Sequence, residues 1–197
     1  TLVESETSRC SKIVSNLLAF SRKSELELKA MSINELLEKC ILLSQHKLML
    51  QNIQIKTDFD PGIPEVLGDF NQTQQCVINL IFNAIDAMPD GGTIVITGSN
   101  QILGPDGSQT GLMLPEGPYV RLSVRDEGPG IPDSHLSQIF DPYFSTKGKG
   151  TDKGTGLGLA ITHSIVTQHG GDIHVEPRNS AGGATFTIYL PACQQSL

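Results

Sequence analysis

Asn79, Asn83 and Asp86 stand at i, i+4 and i+7 in a stretch, 69–88, whose apolar residues Val77, Leu80, Ile81, Ala84 and Ile85 recur at helical spacing. On a helix their side chains project along one line. Asparagine is a mediocre helix former. A line of such residues, closely flanked by apolar positions, points to a polar ligand or a metal ion; a solvated stripe is the competing reading. Asp126 ends an alternating strand pattern, YVRLSVR at 119–125, and runs into Glu127-Gly128-Pro129-Gly130. A carboxylate held at a strand end can accept a hydrogen bond from an exocyclic amine, and glycines beside it let a flat ring approach the backbone. The alternative is a turn that happens to contain an Asp. Gly154-Thr155-Gly156-Leu157-Gly158-Leu159 opens a helical apolar pattern that continues through Ala160, Ile161, Ile165 and Val166. Uncovered N–H groups and the positive helix end make this a ready phosphate site; close loop packing is the other use of such glycines. Just before it, Lys147, Lys149 and Lys153 alternate with Gly148, Gly150 and Gly154. A lid closing over phosphates needs both that charge and that mobility, though a plain surface loop has the same composition.

The elements that must position these groups are legible in outline. Residues 2–29 hold no Gly or Pro, and Leu2, Cys10, Ile13, Val14, Leu17 and Leu18 favour one face. They predict an amphipathic helix whose apolar side is covered by a second copy or by the chain's own body. Ser32, with Glu35 three residues on, caps a second helix, with Leu36, Leu37, Cys40, Ile41, Leu43, Leu48 and Leu50 as core candidates. Residues 52–59 alternate as a strand. The cluster Asp60-Pro61-Gly62-Ile63-Pro64 turns the chain into a short strand at 65–68. The third helix covers 69–88. Then come a strand at 93–97, a loop or hairpin tip at 98–118, the strand at 119–125 and a short helix at 133–139. The helix at 157–169 is closed by Gly170-Gly171, and strands at 172–176 and 184–190 finish the chain. The one visible boundary lies near Lys29–Ser32, dividing residues 1–30 from 31–197.

The 197 residues suffice for one to two domains with a proper core. A net charge of −7 excludes a broad basic face, so no nucleic acid is expected as a partner. It leaves open nucleotide binding, which needs only local donors and a metal. No apolar run approaches the roughly 20 residues of a membrane span, no signal peptide opens the chain, and no membrane contact is expected. Cys10, Cys40, Cys76 and Cys193 are scattered without a C-x-x-C pair and read as reduced thiols, so the expected compartment is the cytoplasm. The absence of an initiator Met suggests a fragment of a longer protein, whose membrane attachment this stretch leaves open.

In order, these pieces closely resemble the catalytic, ATP-binding domain of bacterial sensor histidine kinases, in the superfamily shared with gyrase B, MutL and the heat-shock chaperones. NLIFNAIDA (79–87) looks like the family's N box, DEGPG (126–130) like its first glycine box, FDPYF (140–144) like its F box, GTGLGLA (154–160) like its second glycine box and GGATF (182–186) like a third. The resemblance implies an α+β, two-layer sandwich: a mixed sheet covered on one face by helices, with ATP in a side pocket under a lid, preceded by an N-terminal helix. It implies Asn83 as a Mg²⁺ ligand and Asn79 as its assistant in the phosphate region, the two together forming the catalytic pair. It implies Asp126 as the acceptor from the adenine amine, with Gly128, Gly130, Ile131, Ala87 and Thr185 around the nucleotide. Gly154, Thr155, Gly156, Leu157, Gly158 and Leu159 would hold phosphate oxygens, and Lys147 would add charge. Asp86 matches an Asp common in hydrolysing relatives.

RCSKIVSNLLAFSRK (9–23) resembles the second helix of the family's dimerisation and phosphotransfer hairpin, which implies a homodimer in the full protein. The family's acceptor His, followed by an acidic residue and, a few positions on, usually Pro, has no counterpart at His46, His135, His163, His169 or His174. The reading is therefore a kinase fragment that binds ATP or ADP and does not autophosphorylate alone. Its partners would be an acceptor-His helix of the same protein and, beyond it, a response regulator. A conformational ATPase of the gyrase or chaperone type is the alternative; those enzymes carry a general-base Glu where this chain has Asn79.

Overall fold

The computed structural model describes residues 27–104, 114–146 and 155–193. Residues up to 26 of the helix expected at 2–29, the tip of the 98–118 loop, Lys147, Lys149, Lys153 and Gly154 lie outside those residues; at the expected end of that helix residues 27 and 28 are not helical and Lys29 already belongs to a strand.

Ser32 caps helix α1 (Ile33–Leu50), its hydroxyl accepting from Glu35 N at 3.4 Å. Ile33, Leu36, Leu37, Cys40, Ser44 and Leu48 form the buried stripe. Leu43 and Leu50, expected in the core, are 60% and 69% exposed. At 100° per residue they fall off the stripe, and Ser44 takes the inward place by donating its hydroxyl back to Cys40 O at 2.8 Å. Burial pushes the Cys40 thiol up to about 12, so it packs as a small apolar group and is unreactive.

Strand β1 (Lys29–Met31) pairs antiparallel with β3 (Val66–Gly68). Nothing in the sequence pattern announces β1, because three residues are too few for alternation to register. Between them in the chain runs β2 (Ile53–Phe59). Helix α2 (Phe70–Ala87) starts at Asp69, whose carboxylate accepts from Gln72 N at 3.0 Å. Strand β4 (Gly92–Leu103) is more than twice the expected length. Gly98, Ser99, Asn100 and Gln101 interrupt the apolar pattern, yet they pair with β5 (Gly117–Arg125) as far as Leu103 opposite Gly117. Residues 98–103 and 117–118 are therefore strand and not loop. The short helix expected at 133–139 is a 3₁₀ turn, Asp133–His135, followed by further turns. Helix α3 (Gly158–Gln168), β6 (Asp172–Glu176) and β7 (Thr185–Pro191) complete the order.

The main sheet has five strands in the order β2-β4-β5-β7-β6. The β2–β4 pair is parallel and the others are antiparallel, so the sheet is mixed. One face carries Ile94, Ile96, Leu122, Val124, Phe186 and Ile188 into a single core with Leu36, Leu80, Ile81, Ile161 and Ile165 of the helices. Each such side chain contributes about 1.5–3 kcal/mol by leaving water. On the opposite face Ser123 and Thr187 join hydroxyls at 3.0 Å. This is the expected two-layer α+β architecture.

The helices are locked to each other by His169. Its Nδ1–H donates to Ile165 O at 2.8 Å, and its Nε2 accepts from Asp69 N at 2.9 Å. The end of α3 is thereby pinned to the start of α2. Gly170 follows at φ +71°, the left-handed turn that ends α3. No described helix is long and apolar enough to cross a membrane.

Candidate nucleotide site

A cavity of about 580 Å³ opens between α2, the end of β5, the 131–146 segment and the start of α3. Its volume suits a cofactor-sized ligand. From α2 it receives Asn83, Asp86 and Ala87; beyond β5, Asp126, Gly130 and Ile131; around the start of α3, Thr155, Gly156, Gly158 and Leu159. Three groups spread from Asn83 to Leu159 in the sequence are thus gathered on one space. His135, Ile139, Phe144, Ala184 and Phe186 line it too; Phe144 belongs to the FDPYF segment and Ala184 and Phe186 to GGATF, whereas His135 and Ile139 were not expected at a site.

Four candidates stand off the cavity lining. Asn79 spends its amide elsewhere: Nδ2 donates to Gly158 O at 3.2 Å and to Thr162 Oγ1 at 3.4 Å, tying α2 to the first turn of α3. Leu157 is a buried apolar residue beneath the glycine loop. Gly128 holds Asp126 through its N–H, and Thr185 is buried, accepting from Asn179 Nδ2 at 3.3 Å. Lys147 and Gly154 are outside the described residues.

Asp126 is 5% exposed. Its Oδ1 accepts from Gly128 N at 2.8 Å and Ala184 N at 3.2 Å. Burial pushes its carboxyl above the ordinary range, and these two backbone donors pull it partly back. The space is tight: a Cβ on Gly183 would overlap the Asp126 backbone and carboxylate. Asn179, itself buried, closes the arrangement by donating Nδ2 to Asp126 O at 3.0 Å and Ala184 O at 2.9 Å, while its Oδ1 accepts from Ala181 N at 2.9 Å. One carboxylate oxygen is thus held in a backbone cradle beside a cavity of mainly apolar lining.

At the other end, Gly156 sits at φ +66° and its carbonyl accepts from Tyr143 N at 2.9 Å. That bond ties the aromatic segment to the glycine loop, and a Cβ on Gly156 would reach the Tyr143 carbonyl carbon at 2.5 Å. The N-cap of α3 is Leu157, whose side chain offers no acceptor to the first-turn N–H groups. An anion placed there meets both those donors and the helix dipole.

The rim carries an ion pair absent from the sequence reading. Lys47 of α1 reaches Asp86 with Nζ 2.6 Å from Oδ1, and the same ammonium lies 4.6 Å from the Phe82 ring centroid. No sequence signal links positions 47 and 86; the pairing follows from the packing of α1 on α2.

Residues 68–194 match the family described as histidine kinase-, DNA gyrase B-, and HSP90-like ATPase. The sensor histidine kinase ZraS of Escherichia coli (strain K12) is 36% identical over 186 residues, which is 94% of this chain and 36% of ZraS. The chain therefore spans about a third of the length of that relative, and 20% of the sensor kinase CckA of Brucella abortus, to which it is 37% identical over 96% of its own length. Among solved structures, the catalytic domain of the histidine kinase ThkA superimposes with a TM-score of 0.68 at 32% identity, covering 84% of this chain and 96% of that one.

Proposed function

Because this chain belongs to the family of histidine kinase-, DNA gyrase B-, and HSP90-like ATPases, we propose that it binds ATP with Mg²⁺ in the 580 Å³ cavity. In the longer protein it would present the γ-phosphoryl group to a His on a dimerisation segment. The observation that carries the nucleotide reading is the Asp126 cradle. A carboxylate oxygen with fixed backbone donors stands at one end of the cavity, and uncapped helix N–H groups stand at the other. The first suits the amine of adenine and the second suits phosphates.

For Mg²⁺, no group of three or more His, Cys, Asp or Glu side chains converges among the described residues. Asn83 lines the cavity with an amide oxygen. A hard cation held by one such oxygen, nucleotide phosphates and water fits that donor set. The bound ion would neutralise phosphate charge.

Asn79 favours phosphoryl transfer over hydrolysis, because a side-chain amide is too weak a base to take a proton from water, and this one is turned to Gly158 and Thr162. A homodimer through the N-terminal helix and a response regulator as the next acceptor complete the reading. Mixed with Mg²⁺ and γ-labelled ATP, the chain should bind nucleotide and leave little label on itself or as free phosphate. Adding the acceptor-His segment of the longer protein should label that segment. Steady phosphate release by the chain alone would instead identify a conformational ATPase, and failure to bind ATP would remove the nucleotide reading.

A further inference from the structure

The ionisable side chains that line the cavity among the described residues are Asp86, Asp126 and His135. An anion entering there meets two carboxylates. Asp126 is buried and engaged with backbone donors, but Asp86 stands at the rim and is a third exposed. Its carboxylate lies 2.6 Å from the Lys47 ammonium. That ammonium also lies over the Phe82 ring, 4.6 Å from its centroid, one turn before Asp86 on α2. Lys47 belongs to α1 and is not part of the cavity lining.

We propose that Lys47 is a positioning residue for polyphosphate binding: it neutralises Asp86 on the cavity lining, so that α1 sets the charge that incoming phosphates meet at the rim. This inference rests on the nucleotide reading above and adds a residue to it. The energetic logic is asymmetric. As a stabilising contact, an ion pair whose side chains are each about a third exposed is worth little. As a charge correction it matters more, because a rim carboxylate without the Lys47 charge beside it adds one net negative charge within a Debye length, about 8 Å at physiological salt, of a ligand with several negative charges. The effect therefore scales with phosphate number and vanishes for a neutral nucleoside.

The test compares dissociation constants of adenosine, ADP and ATP, with Mg²⁺ present, for the parent chain, Lys47→Met, Lys47→Arg and Lys47→Met/Asp86→Asn. Lys47→Met should weaken ATP about three- to tenfold, ADP less, and adenosine not at all; the adenosine value also reports that the site is still folded. Lys47→Arg should retain the parent's ATP-to-adenosine ratio. Removing the offending carboxylate in the double variant should restore it. An unchanged ratio in Lys47→Met overturns the inference, as does a loss that Asp86→Asn fails to relieve. A uniform loss across all three ligands also overturns it, since that is the mark of a purely structural role. If the parent binds neither adenosine nor ATP, the nucleotide reading fails first and the inference falls with it, an outcome distinct from a parent that binds both with variants that do not differ.

Discussion

The side-chain amide of Asn179 lies 3.0 Å from the Asp126 carbonyl and 2.9 Å from the Ala184 carbonyl, so one buried group holds both strand ends that frame the Asp126 carboxylate. Asp126 N in turn donates to Ala184 O at 3.0 Å. The cradle is therefore a closed set of bonds in which the carboxylate cannot shift without the 179–184 turn.

Asn179→Ala should remove those donors and leave the turn unsupported. The expected cost is about 1–3 kcal/mol, the usual penalty for stranding buried polar groups. Denaturant unfolding measures it. Adenosine affinity should fall in the same variant, and an unchanged affinity would mean that the cradle holds without Asn179.

Asp126→Asn should lose most nucleotide affinity while keeping the fold, since the amide oxygen can still accept from Gly128 N. The pH dependence has a definite sign. Burial raises the folded-state pKa of Asp126 above its unfolded value. Its contribution to stability is thus fully present below the unfolded value and is lost as pH rises through the folded one. Relative to Asp126→Asn, the parent should gain stability as pH falls across that window. Its nucleotide affinity should move the opposite way, because the amine needs the ionised acceptor. Titrations at several pH values check both trends, and parallel trends would sink the assignment.

His169→Leu should destabilise the chain by about 1–3 kcal/mol, because the buried ring satisfies Asp69 N and Ile165 O at once. His169→Asn, which keeps one donor and one acceptor, should recover part of that loss in thermal unfolding. Equal losses in the two variants would show that ring volume, and not the bridge from α3 to α2, is what matters.

Leu48→Ala and Leu43→Ala should separate cleanly. Leu48 is buried against the core and its truncation should cost about 2–5 kcal/mol. Leu43 is 60% exposed, and its truncation should stay within about 0.5 kcal/mol. Comparable losses would mean that the outer side of α1 is covered in solution.

What the sequence determined by itself was local. The helix at 69–88, the strand ending at Asp126 and the glycine loop opening 158–168 are each specified by neighbours a few positions apart. Hydrophobic period, capping residues and glycine placement act over that range, so they survive in a one-dimensional reading. The family and the two-layer α+β fold were readable for the same reason, because the motifs occur in a fixed order. What only the tertiary structure decided is pairwise and distant. Asn79 turns to Gly158 because α3 packs on α2, so a residue read on the same line as Asn83 ends up tying two helices together and off the cavity lining. Asn179 meets Asp126 because β5 and β7 are neighbours in the sheet. Lys47 meets Asp86 because α1 lies beside α2, and β1 exists because β3 offers it an edge. Ser44 displaces Leu43 from the core because helix phase, once anchored at Leu36, Leu37 and Cys40, leaves no inward place for the leucine. Contacts of this kind depend on which elements become neighbours, and that is settled only when the whole core is packed at once.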